Sequence, residues 1–359
     1  MRALRLLKKA FFKKTAYPEY LTFFITNRCN ARCPHCFYHD NINKPVNELT
    51  IDEIEKLAIS MPHISYLNIT GGEPFIRSDI AKIVSLFYRY AEPEIVIIPT
   101  NGSLVENIIN ACSEILSANR GINLEIAISL DAYGKAHDDI KNFPGLFEKA
   151  RESFYALKEL KKKYVNLKTS IGMVFEKNNQ DLLEDSLLKF IEWKPDIIYL
   201  NMVRGNIKDP CLQGVDINKY EKLSEKIERS FKPRNFMSFV IASLGIYKRK
   251  IILKTLLENR YQLPCYAGIL NMVIYPDGTV NYCELLENSL GNLRDFDMNF
   301  KKLYSQTQRM EFVKLINENR CFCTHECNLS SNILFTPRTW FSLEIEFLKL
   351  LWNKMQKKK

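Results

Sequence analysis

Leu21-Thr22-Phe23-Phe24-Ile25-Thr26-Asn27-Arg28-Cys29-Asn30-Ala31-Arg32-Cys33-Pro34-His35-Cys36 is an apolar run that ends in three closely spaced thiols. The run has the length and β-branched or aromatic content of a buried strand. The cysteines read Cys-x-x-x-Cys-x-x-Cys, so one short loop carries three thiolates. Iron–sulfur clusters take four cysteine ligands. A loop that supplies three leaves one iron open to another molecule. Thiolates at such spacing also suit zinc, so the loop alone leaves both metals open.

Working outward, short apolar runs recur at 65–70, 94–99, 123–129, 167–174 and 196–203, joining 21–26. Helix-like stretches lie between them near 51–60, 79–91, 103–118, 145–163 and 180–192. Such alternation predicts βα units and a parallel sheet. Thr50 with Glu53 marks one helix start and Ser78 another. In parallel α/β architectures ligands bind at the carboxyl ends of the strands. The polar and glycine-rich segments fall there: Gly71-Gly72-Glu73-Pro74 after the second run, Thr100-Asn101-Gly102-Ser103 after the third, Ser129-Leu130-Asp131 at the fourth, and Arg204-Gly205 after the sixth. Composition alone does not separate a partial barrel from an open doubly wound sheet.

The three-cysteine loop after a first strand, together with Gly71-Gly72-Glu73-Pro74 after a second, resembles the radical S-adenosylmethionine (SAM) enzymes. The resemblance implies an α/β fold, a partial six-stranded (β/α)6 parallel barrel. It implies that Cys29, Cys33 and Cys36 hold a 4Fe–4S cluster whose open iron binds SAM. One electron then cleaves SAM to a 5′-deoxyadenosyl radical, which abstracts a substrate hydrogen. It further implies that Gly71, Gly72 and Glu73 hold the SAM amino group, and that Ser129 and Asp131 lie near its ribose or carboxylate. Arg204 would pair with that carboxylate, as a guanidinium suits planar oxyanions. His35, Phe37 or Tyr38 would border the adenine. For Ser129, Asp131 and Arg204, turn or capping chemistry at strand ends is the plainer alternative.

A second cysteine set follows: Cys265, then Cys283 after the hairpin signal Tyr275-Pro276-Asp277-Gly278, then Cys321, Cys323 and Cys327. Pro-Asp-Gly between alternating apolar runs predicts a tight turn that returns Cys283 towards Cys265. A helix-like stretch at 298–316 precedes the last three cysteines. The spacing of Cys265, Gly278 and Cys283 resembles the SPASM and twitch extensions of radical SAM enzymes, which bind auxiliary clusters. A full SPASM domain has more cysteines after the gap, so one auxiliary 4Fe–4S cluster is expected. Cys323 and Cys327 are the favoured partners of Cys265 and Cys283, with Cys321 the alternative. Structural zinc remains the competing occupant, and His325 is expected outside the ligand set. Cys112 reads as a buried apolar residue and Cys211 as structural.

The division expected is a basic amphipathic segment at 1–20, the core at 21–211, a helical linker at 212–262, a cysteine-rich hairpin and helix extension at 263–330, and a basic amphipathic helix at 331–359. The formal charge of +10 sits in the two ends. Residues 1–14 carry Arg2, Arg5, Lys8, Lys9, Lys13 and Lys14 with no acid; residues 338–359 carry six basic residues against Glu344 and Glu346. The body between them balances, which argues against nucleic acid, since no broad basic groove is available. Trp340, Leu343, Phe347, Leu348, Leu351, Trp352 and Met355 recur at helical spacing. Neither end has the roughly 20 apolar residues needed to span a bilayer. Both suit an anionic membrane surface; packing on the body is the alternative.

With no secretory signal and with cysteines at ligand-like spacing, a reducing cytoplasm is expected, peripheral to the inner membrane face if the tails bind lipid. The extension implies a peptide or protein substrate and a low-potential electron donor. Residues 1–20 leave no room for a separate peptide-recognition domain, which raises a lipid-linked or membrane-embedded substrate as the second reading. A non-catalytic iron–sulfur or zinc scaffold is the reading from another class.

Overall fold

Each of the six apolar runs forms a strand within a residue or two of its expected bounds. The computed structural model describes residues 17–233, 235–305 and 307–356. The strands are β1 (Tyr20–Thr26), β2 (Tyr66–Gly71), β3 (Ile95–Thr100), β4 (Leu124–Ser129), β5 (Leu167–Phe175) and β6 (Ile197–Met202). They pair in parallel, neighbour to neighbour. Between them lie α1 (Ile51–Ser60), α2 (Ile80–Tyr90), α3 (Val105–Ala118), α4 (Lys135–Lys141), α5 (Leu146–Lys163) and α6 (Leu183–Glu192). Alternation sorts each strand's faces. On β4, Leu124, Ile126 and Ile128 join the core shared with the helices, while Glu125, Ala127 and Ser129 point to the opposite side.

The helix starts follow local chemistry unequally. At α1 the Thr50 hydroxyl accepts from the Glu53 N–H and the Glu53 carboxylate accepts from the Thr50 N–H, a capping box that satisfies two orphan donors. At α2 the cap is Asp79 rather than Ser78, with no side-chain cap bond. The linker forms α7 (Ile217–Ser230) and α8 (Phe236–Glu258).

The extension is not an appended module but a continuation of the sheet. Strand β7 (Asn271–Ile274) pairs in parallel with β1, and β8 (Thr279–Asn281) and β9 (Ser289–Asn292) follow antiparallel. The order is β6-β5-β4-β3-β2-β1-β7-β8-β9. The expected turn closes through Gly278, whose N–H donates to the Tyr275 carbonyl at 3.0 Å with a φ of +89°. Arg294, just beyond β9, grips Glu53 of α1 at 2.7 Å and so fastens the hairpin to the core.

The expected 298–316 helix splits into α9 (Phe300–Tyr304) and α10 (Thr307–Glu318). Then come α11 (Glu326–Leu334) and α12 (Trp340–Gln356), which packs along α8. Cys112 is fully buried, as an apolar residue would be. Residues 1–16 and 357–359, which include most of the basic tail charge, lie outside the described residues.

Candidate active site

The loop after β1 is locked to the end of β2 by backbone bonds and to the segment after β3 by side chains. Gly72 N–H donates to the Thr26 carbonyl at 2.9 Å, and Glu73 N–H to the Arg28 carbonyl at 2.8 Å. Asn43 closes the loop on itself, accepting from Cys29 N–H at 2.9 Å and donating to the Cys29 carbonyl at 3.0 Å. Asn101 Nδ2 donates to Asn30 Oδ1 at 2.8 Å, and Asn30 Nδ2 donates to Ser103 Oγ at 2.8 Å. Glycine is required where these strands meet: a Cβ at Gly71 would lie 2.2 Å from the Thr26 carbonyl oxygen. An ammonium only donates, so Gly72 and Glu73 could receive one on carbonyl oxygen or on the Glu73 carboxylate, not on their N–H groups.

The Glu73 side chain is committed too. Its carboxylate accepts from Phe75 N–H at 3.2 Å, Thr100 Oγ1 at 2.8 Å and Asn101 N–H at 2.8 Å. Burial pushes this carboxyl up to about 7 against those three donors. Glu73 therefore holds the end of β3 against the cysteine loop.

Cys29, Cys33 and Cys36 border one cavity of about 390 Å³, together with Gly71, Gly72, Thr100 and Ser129. No fourth cysteine is among its lining residues. Burial pushes the Cys29 thiol up to about 12 and Cys36 to about 11. It also raises Cys33, against the pull of Lys141. A coordinated metal reverses that cost, because it binds the thiolate. Among the described residues no three His, Cys, Asp or Glu side chains converge on a single-ion site; these thiols surround a space. Three sulfur donors around a cavity of this size, with no fourth cysteine, fit a 4Fe–4S cluster that leaves one iron for SAM.

Two charged residues sit differently from the sequence-based expectation. Asp131 is fully buried and does not line the cavity. Its carboxylate meets Lys141 Nζ at 2.6 Å and His35 Nε2 at 3.4 Å, and it accepts from Val174 N–H at 2.7 Å. Burial disfavours its charge, but Lys141 and the two histidines outweigh that and hold it down to about 2. Burial drives His35 and His137 down to about 4, so both imidazoles are neutral at pH 7. Arg204 also lies off the cavity. It is held by Glu326 at 2.8 Å and sits near Cys323 and Cys327, on the side of the second cysteine set.

The aromatic residues likewise turn elsewhere. His35 is taken by Asp131, Tyr38 packs on Phe24 and Tyr275, and the Arg204 guanidinium lies over Phe37. Sequence reasoning missed Lys141, which brings a buried cation to the cavity from the last residue of α4, and Lys208, which also lines it.

In the second set, Cys265 and Cys321 share a hydrogen bond that raises the first thiol and lowers the second. Cys323 lies close enough to influence both Cys265 and Cys283. Cys327 accepts from the Tyr20 hydroxyl at 3.3 Å and lies near Glu284 and Arg204. His325 caps α11, is nearly fully buried, and pairs with Glu284. Cys211 is exposed.

A parallel α/β sheet whose carboxyl edge presents three thiols and a glycine-walled cavity defines a cluster-binding enzyme core. Residues 23–188 match the family model described as Radical SAM superfamily. Among curated relatives, the antilisterial bacteriocin subtilosin biosynthesis protein AlbA of Bacillus subtilis is 27% identical over 281 residues, which are 77% of this chain and 57% of AlbA. Among solved structures, anSMEcpe with bound AdoMet aligns with a TM-score of 0.57 and 18% identity, over 95% of this chain and 99% of that one. SuiB of Streptococcus suis bound to precursor peptide SuiA aligns with a TM-score of 0.59 and 17% identity, over 89% of this chain and 71% of that one. The chain spans 40% to 57% of the length of the curated relatives it matches first. These likenesses support an enzyme of the radical SAM class, with 4Fe–4S clusters and SAM as its cofactors; the solved structures add the shared fold.

Proposed function

We propose that this chain cleaves SAM reductively and modifies a peptide or protein. The observation that carries the reading is the three-thiol loop, locked to Gly71–Glu73 and facing a cavity without a fourth cysteine. In this reading Cys29, Cys33 and Cys36 hold the cluster, while Gly71, Gly72, Glu73 and Ser129 line the space for SAM. Lys141 and Lys208 bring positive charge to that space. The cluster and SAM supply a 5′-deoxyadenosyl radical; the protein positions and shields it.

The auxiliary cluster is assigned to Cys265, Cys283, Cys321 and Cys323, because these thiols lie near one another and Cys327 is engaged by Tyr20. A fully thiolate-bound cluster suits electron passage from a low-potential donor. A peptide substrate is supported by AlbA's role in bacteriocin biosynthesis and by SuiB's bound precursor peptide. A lipid-linked substrate is the second reading, favoured by the exposed apolar row on α12.

Anaerobic incubation with SAM, dithionite and candidate peptides tests the proposal. It predicts 5′-deoxyadenosine formed in step with a peptide mass change. Deoxyadenosine production that no peptide accelerates, but that lipid extracts do, would move the substrate to the second class. Iron analysis in the same preparations should show about four irons lost in Cys321→Ala and none in Cys327→Ala; the reverse result overturns the ligand assignment.

A further inference from the structure

The inner wall of the sheet holds a buried carboxylate that no cation balances. Alternation along β4 turns Glu125 and Ser129 to the same side, opposite the apolar core. Ser129 lines the cavity beside the three thiols. Glu125 stands earlier on the strand, roughly 13 Å deeper, and is only 3% exposed. Its Oε1 accepts from Ser170 Oγ at 2.7 Å and from the Tyr199 hydroxyl at 2.8 Å. Among the described residues its other oxygen has no hydrogen bond, and no lysine, arginine or histidine forms an ion pair with the carboxylate. Lys168, its register partner on β5, is exposed and makes no such pair. A carboxylate taken out of water is costly unless it is paired. Here the chain supplies two hydroxyls and no positive charge.

Aromatic rings complete the surroundings. Tyr20 and Tyr66 stack at a ring distance of 5.7 Å. Tyr199 lies close enough to each of them for their ionisations to influence one another. Tyrosine rings beside a carboxylate favour a cation, because ring faces and carboxylate attract the same charge. Open space joins this place to the cavity. Gly172 on β5 is the register partner of Ser129 on one side and of Tyr199 on the other. Its neighbours Ile171 and Met173 turn to the apolar core, so Gly172 faces the inner wall. A Cβ added at Gly172 would meet no atom within 4 Å.

We propose that Glu125, Tyr199 and the Tyr20–Tyr66 pair form a subsite for a cationic group of the peptide substrate: a lysine or arginine side chain, or an N-terminal ammonium. Resting on the peptide reading above, this subsite adds the class of residue that the peptide carries. About four extended residues cover the roughly 13 Å between Glu125 and Ser129. A peptide held by its cation at Glu125 therefore presents a residue a few positions away to the cavity. Glu125 acts on specificity: it selects the peptide and fixes where its chain lies, and it takes no part in hydrogen abstraction.

The test titrates the full chain, reconstituted with iron and sulfide and loaded with SAM, with short probe peptides in a calorimeter. Capped peptides differ at one position, lysine, arginine or norleucine, and a further norleucine peptide keeps its free amino terminus. At least one of the three charged peptides should bind about tenfold or more tightly than the capped norleucine peptide, and which one does so identifies the source of the cation. The preference should vanish in Glu125→Gln, with iron content and circular dichroism matching the wild type. Gly172→Val, which fills the open space and leaves the carboxylate in place, should weaken the charged peptide too. Equal binding of charged and neutral peptides by the wild type overturns the proposal, as does a preference that survives Glu125→Gln. A preference untouched by Gly172→Val overturns the link between subsite and cavity. Modification of neutral and cationic peptides alike would sink the subsite and keep the peptide reading. Charge-selective binding with no peptide modified would sink the peptide reading and keep the subsite.

Discussion

Gly72 is the position where one added methyl group would be felt most. A Cβ there would sit 2.2 Å from the Arg28 carbonyl oxygen and 2.9 Å from Cys29 Cβ. Neither neighbour can yield without moving the cysteine loop. Gly72→Ala should therefore lower iron content by about four per chain and abolish SAM cleavage. Its far-ultraviolet circular dichroism should match the wild type, since the sheet does not depend on that contact. Full iron loading with normal turnover would show that the loop does not need this close approach. At this scale the sequence was informative where a residue acts through its neighbours in the chain. The thiols and the glycine pair are such cases. The partners of Asp131 and Arg204 could not be read locally because they come from elsewhere: Lys141 reaches Asp131 from the following helix, and Glu326 lies 122 residues beyond Arg204. Lys141 itself carried no local signal.

Elements were legible in proportion to their length and periodicity. The six parallel strands and the longer helices follow from apolar runs and 3.6-residue spacing. Helix α4 was missed because seven residues make under two turns and show no period. The face assigned to α12 merged its two sides: Leu343 and Phe347 turn inward, whereas Leu348, Trp352 and Met355 turn out. Between elements, the Arg294–Glu53 pair gives a pH-dependent link between the hairpin and α1. Hydrogen bonds from Arg294 chiefly hold the Glu53 carboxyl down to about 2, against a reference value of 4.5. A depressed carboxyl stabilises the folded state above its unfolded pKa and loses that contribution as pH falls through the folded one. The link should thus be complete above about pH 5 and fade towards pH 2. Arg294→Gln should lower the melting temperature at pH 7, with the difference from wild type shrinking as the medium is acidified. A difference that stays constant over that range would mean the pair does not contribute through charge.

At the scale of the whole molecule, the cysteine-rich extension reads from sequence as a separate unit, yet it lengthens the sheet through β7 on β1. Register between distant strands is set by tertiary packing and leaves no mark in either segment alone. The consequence is that the second cysteine set is fixed relative to the first by one continuous sheet, an arrangement suited to passing electrons or placing substrate between them. The central claim, that the three-thiol loop builds a SAM-cleaving centre, has a direct measurement. Wild-type chain and a Cys29→Ala, Cys33→Ala, Cys36→Ala variant are reconstituted anaerobically with iron and sulfide, then given dithionite and SAM, and 5′-deoxyadenosine is quantified. The wild type should produce it, and the variant should produce none while retaining the iron of its auxiliary cluster. A wild-type protein with both clusters intact that forms no 5′-deoxyadenosine would contradict the account.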